Sequence, residues 1–136
     1  MYKSFVPLVF LLLTARALAL EVPVEITEYI DDVKVIAYLH ESDINEGPQW
    51  TPFESPPPLS IADALDAVHR YINSDAEFTH AALTGIELKP IPHHPMHWHY
   101  LVKVRFKLDG RPRPHFFVVL MDGKVISAIK RPESIN

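Results

Sequence analysis

From Trp98 to Leu108 the chain alternates with a period of two. Trp98, Tyr100, Val102, Val104, Phe106 and Leu108 interleave with His99, Leu101, Lys103, Arg105 and Lys107. Successive side chains of a strand leave opposite faces, so this pattern predicts a strand with one face on a core and the other in water. Asp109-Gly110 then breaks the run in the manner of a tight hairpin. Phe116 to Met121 is apolar at every position, which suits a central strand covered on both faces or one at a subunit contact. Asp122-Gly123 makes a second tight turn into Val125–Ile129, and Ala82–Leu88 supplies a strand ahead of these. The pattern predicts an antiparallel meander of about four strands.

A helix precedes the meander. Ser60 offers an N-cap hydroxyl and Asp63 an acid three positions on, both suited to the unpaired N–H groups of a first turn. Ile61, Leu65, Val68 and Ile72 then recur at helical spacing with Ala64 beside them, while Asp63, Asp66, His69 and Arg70 fall on the opposite side. Asn73-Ser74-Asp75 ends it.

Two less regular stretches come earlier. In residues 20–46, Val22, Val24 and Ile26, then Val33, Val35, Ala37 and Leu39, alternate with polar residues. This reads as one or two strands, with Asp31-Asp32 able to turn a hairpin, and a short helix through Glu25–Ala37 competes. Gly47–Pro58 holds five prolines. Their fixed φ and missing donors make the stretch an extended strap, neither helix interior nor central strand. Trp50 and Phe53 sit in it. They either form an aromatic docking surface or pin the strap to the core, and pinning is preferred because such rings bury large apolar area. The expected fold is α+β: the meander, one main amphipathic helix packed across it, and the Pro-rich strap.

The start of the chain reads as an export signal. Lys3 precedes an apolar run from Phe5 to Leu13, and Ala17-Leu18-Ala19 offers a small-x-small cleavage site. The run is shorter than the roughly 17–25 residues needed to cross a bilayer, so no membrane anchor is expected after cleavage. The expected organisation is a signal peptide at 1–19, an N-terminal extension at 20–58 and a helix-plus-meander domain at 59–136. All 17 acidic residues lie beyond the signal while Lys3 and Arg16 are lost with it, so the processed chain is more acidic than the −4 of the whole. Such a surface disfavours nucleic acid or an anionic membrane as partner. With no cysteine, an exported chain has no disulfide staples, no thiol nucleophile and no Cys-based zinc site. The expected location is secreted or periplasmic.

Three segments together resemble the PepSY domain, a small exported module with a cystatin-like look. They are Leu59-Ser-Ile-Ala-Asp-Ala-Leu65 as its alanine-bearing helix, Tyr100-Leu-Val-Lys-Val104 as its strand, and Val118-Val-Leu-Met-Asp-Gly-Lys-Val125 as its closing hairpin. The resemblance spans about residues 59–130. Asp122-Gly123 stands where the family usually has a longer turn with Thr-Gly, and the strap is additional. The resemblance implies binding and restraint of peptidases, and it brings no catalytic residues.

The concentrated chemistry is His93-His94-Pro95-Met96-His97-Trp98-His99, four imidazoles in seven residues. Such a set could serve Cu, Ni or Zn. His97 and His99 lie two apart on a strand and so share a face, expected to be the solvent side, and His93 and His94 could fold over them from the preceding loop. The alternative is a variable hairpin loop whose histidines are merely soluble and turn-compatible, and it is preferred. His40, His69, His80 and His115 are scattered and read as surface or half-buried side chains. Lys103, Arg105 and Lys107 form a basic stripe that could dock an acidic partner, or pair across strands with Glu87 and its neighbours, which is preferred. No nucleophile elbow, His-Glu-x-x-His helix or phosphate-cradling glycine loop occurs. The expectation is a non-enzymatic binding or regulatory module that contacts another protein and needs no cofactor, with a cell-envelope metal-binding protein as the alternative.

Overall fold

The computed structural model describes residues 22–130; the expected export signal and the expected cleavage after Ala19 lie outside them. In chain order the elements are β1 (Val24–Ile30), β2 (Val33–Leu39), α1 (Glu41–Glu46), α2 (Ile61–Asn73), a 3-10 turn at Ala76–Phe78, β3 (Ala82–Ile91), β4 (His94–Leu108), β5 (Arg111–Leu120), β6 (Val125–Ser127) and β7 (Ile129–Lys130). They build a four-stranded antiparallel meander, β3-β4-β5-β6, and a second sheet ordered β1-β2-β7.

Residues 24–39 form a hairpin, paired from Val24 opposite Leu39 to Ile30 opposite Val33. Asp31 and Asp32 make its turn at φ 51° and 62°. A short polar side chain tolerates this left-handed region, and a two-residue hairpin turn of matching twist requires it. Asp109 at φ 53° and Gly110 at φ 74° do the same between β4 and β5, while Gly123 at φ 92° closes the longer β5–β6 turn. At α2, Ser60 Oγ accepts a hydrogen bond from the Asp63 amide at 3.1 Å, so the cap forms as the sequence indicates.

The meander is the middle of three layers. Tyr100, Val102, Phe117 and Val119 face α2, where Ala64, Ala67 and Val68 lie buried. Leu101, Phe116, Val118 and Leu120 face the other way, against Ile26, Val35, Ala37 and Leu39 of the β1–β2 hairpin. Two expectations are corrected here. The face of β4 carrying His99 and Leu101 is not wet: both are buried, because the second sheet lies across it. The contact line of α2 runs through Ala64, Ala67 and Val68, with Leu65 and Ile72 only partly buried and Ile61 exposed. Small residues at the centre let the helix approach the sheet closely, and the first turn, with Ile61, stays exposed.

β6 pairs only with Phe117–Val119, so the first half of β5 has a neighbour on one side alone. Pro112 and Pro114 lie there, opposite Lys107 and Arg105 of β4. Two apart on a strand, they direct their donor-less nitrogens to the same side, the open one, where no ladder bond is lost.

Candidate functional site

The strap is tied to the body at both ends. The Trp50 amide donates to the Met96 carbonyl at 2.9 Å, and the Tyr100 hydroxyl donates to the Leu59 carbonyl at 2.6 Å. The Trp50 indole meets Trp98 edge-on with ring centroids 5.1 Å apart, and its N–H closes the strap on itself through the Ser55 carbonyl at 2.9 Å. Trp50 therefore pins the strap as expected.

Phe53 does not, and that expectation is corrected. Its relative exposure is 106%, the highest among the large apolar side chains of the described residues. Its backbone is left-handed at φ 71°. Pro52 leads a turn in which the next residue takes positive φ, a place that favours glycine. A bulky residue there costs on the order of 1–3 kcal/mol, held only because the surrounding strap fixes the turn. The fold thus spends stability to hold an aromatic ring in water. Farther along, Pro56 and Pro57 line an open cleft of about 630 Å³ with Ile61, Ile86, Leu88 and Tyr100. Sequence reasoning weighed Phe53 as a docking residue and preferred burial because of its ring size; the overlooked signal was the proline immediately before it.

The histidine hairpin is less unified than its composition suggests. His93 sits at the turn with φ 64° and is exposed. His94 Nε2 lies 2.9 Å from Glu41 Oε1 and its Nδ1 lies 3.0 Å from the Pro92 carbonyl, so both ring nitrogens have partners. The His94 and His97 rings stand 6.3 Å apart. His99 is turned inward between the sheets, not toward solvent, and neither of its ring nitrogens has a hydrogen-bond partner. Burial, then the nearby Lys89 charge, pushes its pKa down to about 4, with the Lys89 backbone and Glu87 opposing. Among the described residues no three His, Asp or Glu side chains converge as a metal would require.

The basic stripe divides. Lys103 Nζ binds Glu87 at 2.8 Å and approaches Glu28 at 3.9 Å, while Arg105 reaches Asp31 at 2.7 Å. Lys107 is exposed and has no ion pair among the described residues. Lys89 joins the group by contacts to Glu28 at 3.0 Å and Glu87 at 3.3 Å. The Lys103 hydrogen bond holds the Glu87 carboxyl below the usual carboxylate range. No family model, curated protein or solved structure matches the chain.

Proposed function

We propose that this chain is an exported, non-catalytic binding module whose partner is another protein, engaged through Phe53. The observation that carries the reading is the fully exposed ring on a left-handed backbone, in a strap tied down on either side. Strain retained at one exposed position points to use of that position. Aromatic rings on rigid supports are the usual anchors of protein interfaces, since little freedom is lost when they dock. The apolar cleft beside Pro56, Pro57 and Ile61 would extend the contact along the strap. The PepSY resemblance of residues 59–130 supports a binding role and makes a peptidase the first partner class to try.

The test separates binding from folding. Phe53→Gly relieves the backbone strain, so the variant should melt no lower than the wild type while losing its partner. A photo-crosslinking phenylalanine analogue at position 53 should give one dominant adduct in the compartment of origin. Unlabelled wild-type protein should compete that adduct away and unlabelled Phe53→Gly protein should not. Equal competition by the two, or no adduct at all, sinks the reading.

A further inference from the structure

Beside the unpaired half of β5, a cavity of about 430 Å³ lies against the α2 face of the meander and reaches round the strand edge to the second sheet. Such a volume is in the range that small ligands occupy, roughly 300–1,000 Å³. Phe78, Phe106, His115 and Leu108 form one wall, and Val33 and Ile129 of the second sheet stand opposite. The aromatic wall is rigid. Phe78 meets Phe106 at 5.2 Å and His115 at 5.0 Å between centroids, and Ser127 Oγ holds His115 Nε2 at 2.8 Å. Burial keeps the His115 ring neutral, with its pKa down to about 4. The cation of the cavity is therefore Arg113.

Strand register places Arg113 there: it sits opposite Phe106 on β4, so its side chain leaves on the aromatic face. Its Nε is buried and has no hydrogen-bond partner, and no carboxylate pairs with its guanidinium among the described residues. A buried donor on a charged group is costly unless something accepts from it. The planar fork of a guanidinium matches the two oxygens of a carboxylate. Glu77 also lines the cavity and disfavours a ligand of higher negative charge, such as a phosphate dianion.

We infer that this cavity is a binding site for a small monocarboxylate on an aromatic body, its ring against Phe78 and Phe106 and its carboxylate on Arg113. The site is separate from the Phe53 surface, so either proposal can fail without the other.

Phenylacetate and its uncharged counterpart phenylacetamide are suitable probes, titrated into the purified protein and followed by NMR of the Phe78, Phe106 and His115 ring signals. Phenylacetate should saturate a single site. Phenylacetamide, and phenylacetate with an Arg113→Gln variant, should each bind at least about tenfold more weakly, as expected for a lost charge-assisted bond. Ile129→Trp, at an exposed position on the opposite wall, should block binding without touching Arg113. Phe53→Gly should leave binding unchanged. The proposal is overturned if phenylacetate gives no saturable shift, if acid and amide bind alike, or if Ile129→Trp binds as the wild type does. Were Arg113→Gln to misfold, the amide and the Ile129→Trp variant would still decide.

Discussion

Individual residues here resist assignment by type. Four histidines cluster within seven positions, yet their environments diverge: one at a turn, one hydrogen-bonded at both nitrogens, one partly buried beside it, and His99 sealed between sheets. His99 has a consequence for acid stability. The folded ring stays neutral down to about pH 4, whereas in the unfolded chain it takes up a proton at its ordinary value of 6.5. Between these the unfolded state binds more protons, so stability falls as pH drops through that window and levels off below it. His115 behaves in the same sense. The loss attributable to His99 is on the order of 3 kcal/mol across the window. His99→Leu should remove that share, leaving a shallower decline of the urea midpoint between pH 7 and pH 4 and no loss at neutral pH. Parallel pH profiles for variant and wild type would show that His99 is not the group responsible.

At the level of elements, local chemistry was the legible part. The Ser60 cap, the helix stop and the Asp-Gly turns each rest on a short-range backbone requirement, and each forms where the residues indicate. The N-terminal hairpin was ambiguous because Asp31-Asp32 lacks the glycine that usually marks such a turn. Placing two non-glycine residues at positive φ is tolerable but not ideal. Asp32→Gly should accordingly raise the unfolding free energy by about 0.5 kcal/mol, the steric relief exceeding the added freedom of the unfolded chain. Asp31 should be left in place, since it holds Arg105 at 2.7 Å. A lower denaturation midpoint for Asp32→Gly would contradict this account of the turn. Phe53 was illegible for the opposite reason: its aromatic character signalled core, and only the turn set by Pro52 reverses that.

For the whole molecule, the missing piece was the second cover on the meander. β4 alone looks half-wet, since Lys103, Arg105 and Lys107 share a face with His99 and Leu101. β5, apolar throughout from Phe116 to Leu120, already required cover on both sides, and the register puts Leu101 opposite Val118 and Lys103 opposite Phe116. The contradiction resolves in space. The hairpin covers His99 and Leu101, while Lys103 and Arg105 reach its edge and meet Glu28 and Asp31. Lys89 with Glu28 and Lys124 with Asp43 add further ties between the N-terminal region and the meander. Single-sequence periodicity cannot report which distant segment supplies a cover, so the cavity with Arg113 and His115, formed where that cover ends, was equally out of reach.

Pro112 and Pro114 bear on the behaviour of the protein when it is concentrated. An open strand edge invites a second copy to add its own strand and then a third, which is how fibres grow. Without outward-facing N–H groups at positions 112 and 114, an incoming chain finds few donors to recruit and propagation stops at the first encounter. Exchange of both prolines for threonine should leave the monomer folded but make concentrated solutions gel or bind thioflavin over days, with the wild type remaining clear. The strand nearest the cavity of Arg113 would then also be one that helps keep the protein from polymerising.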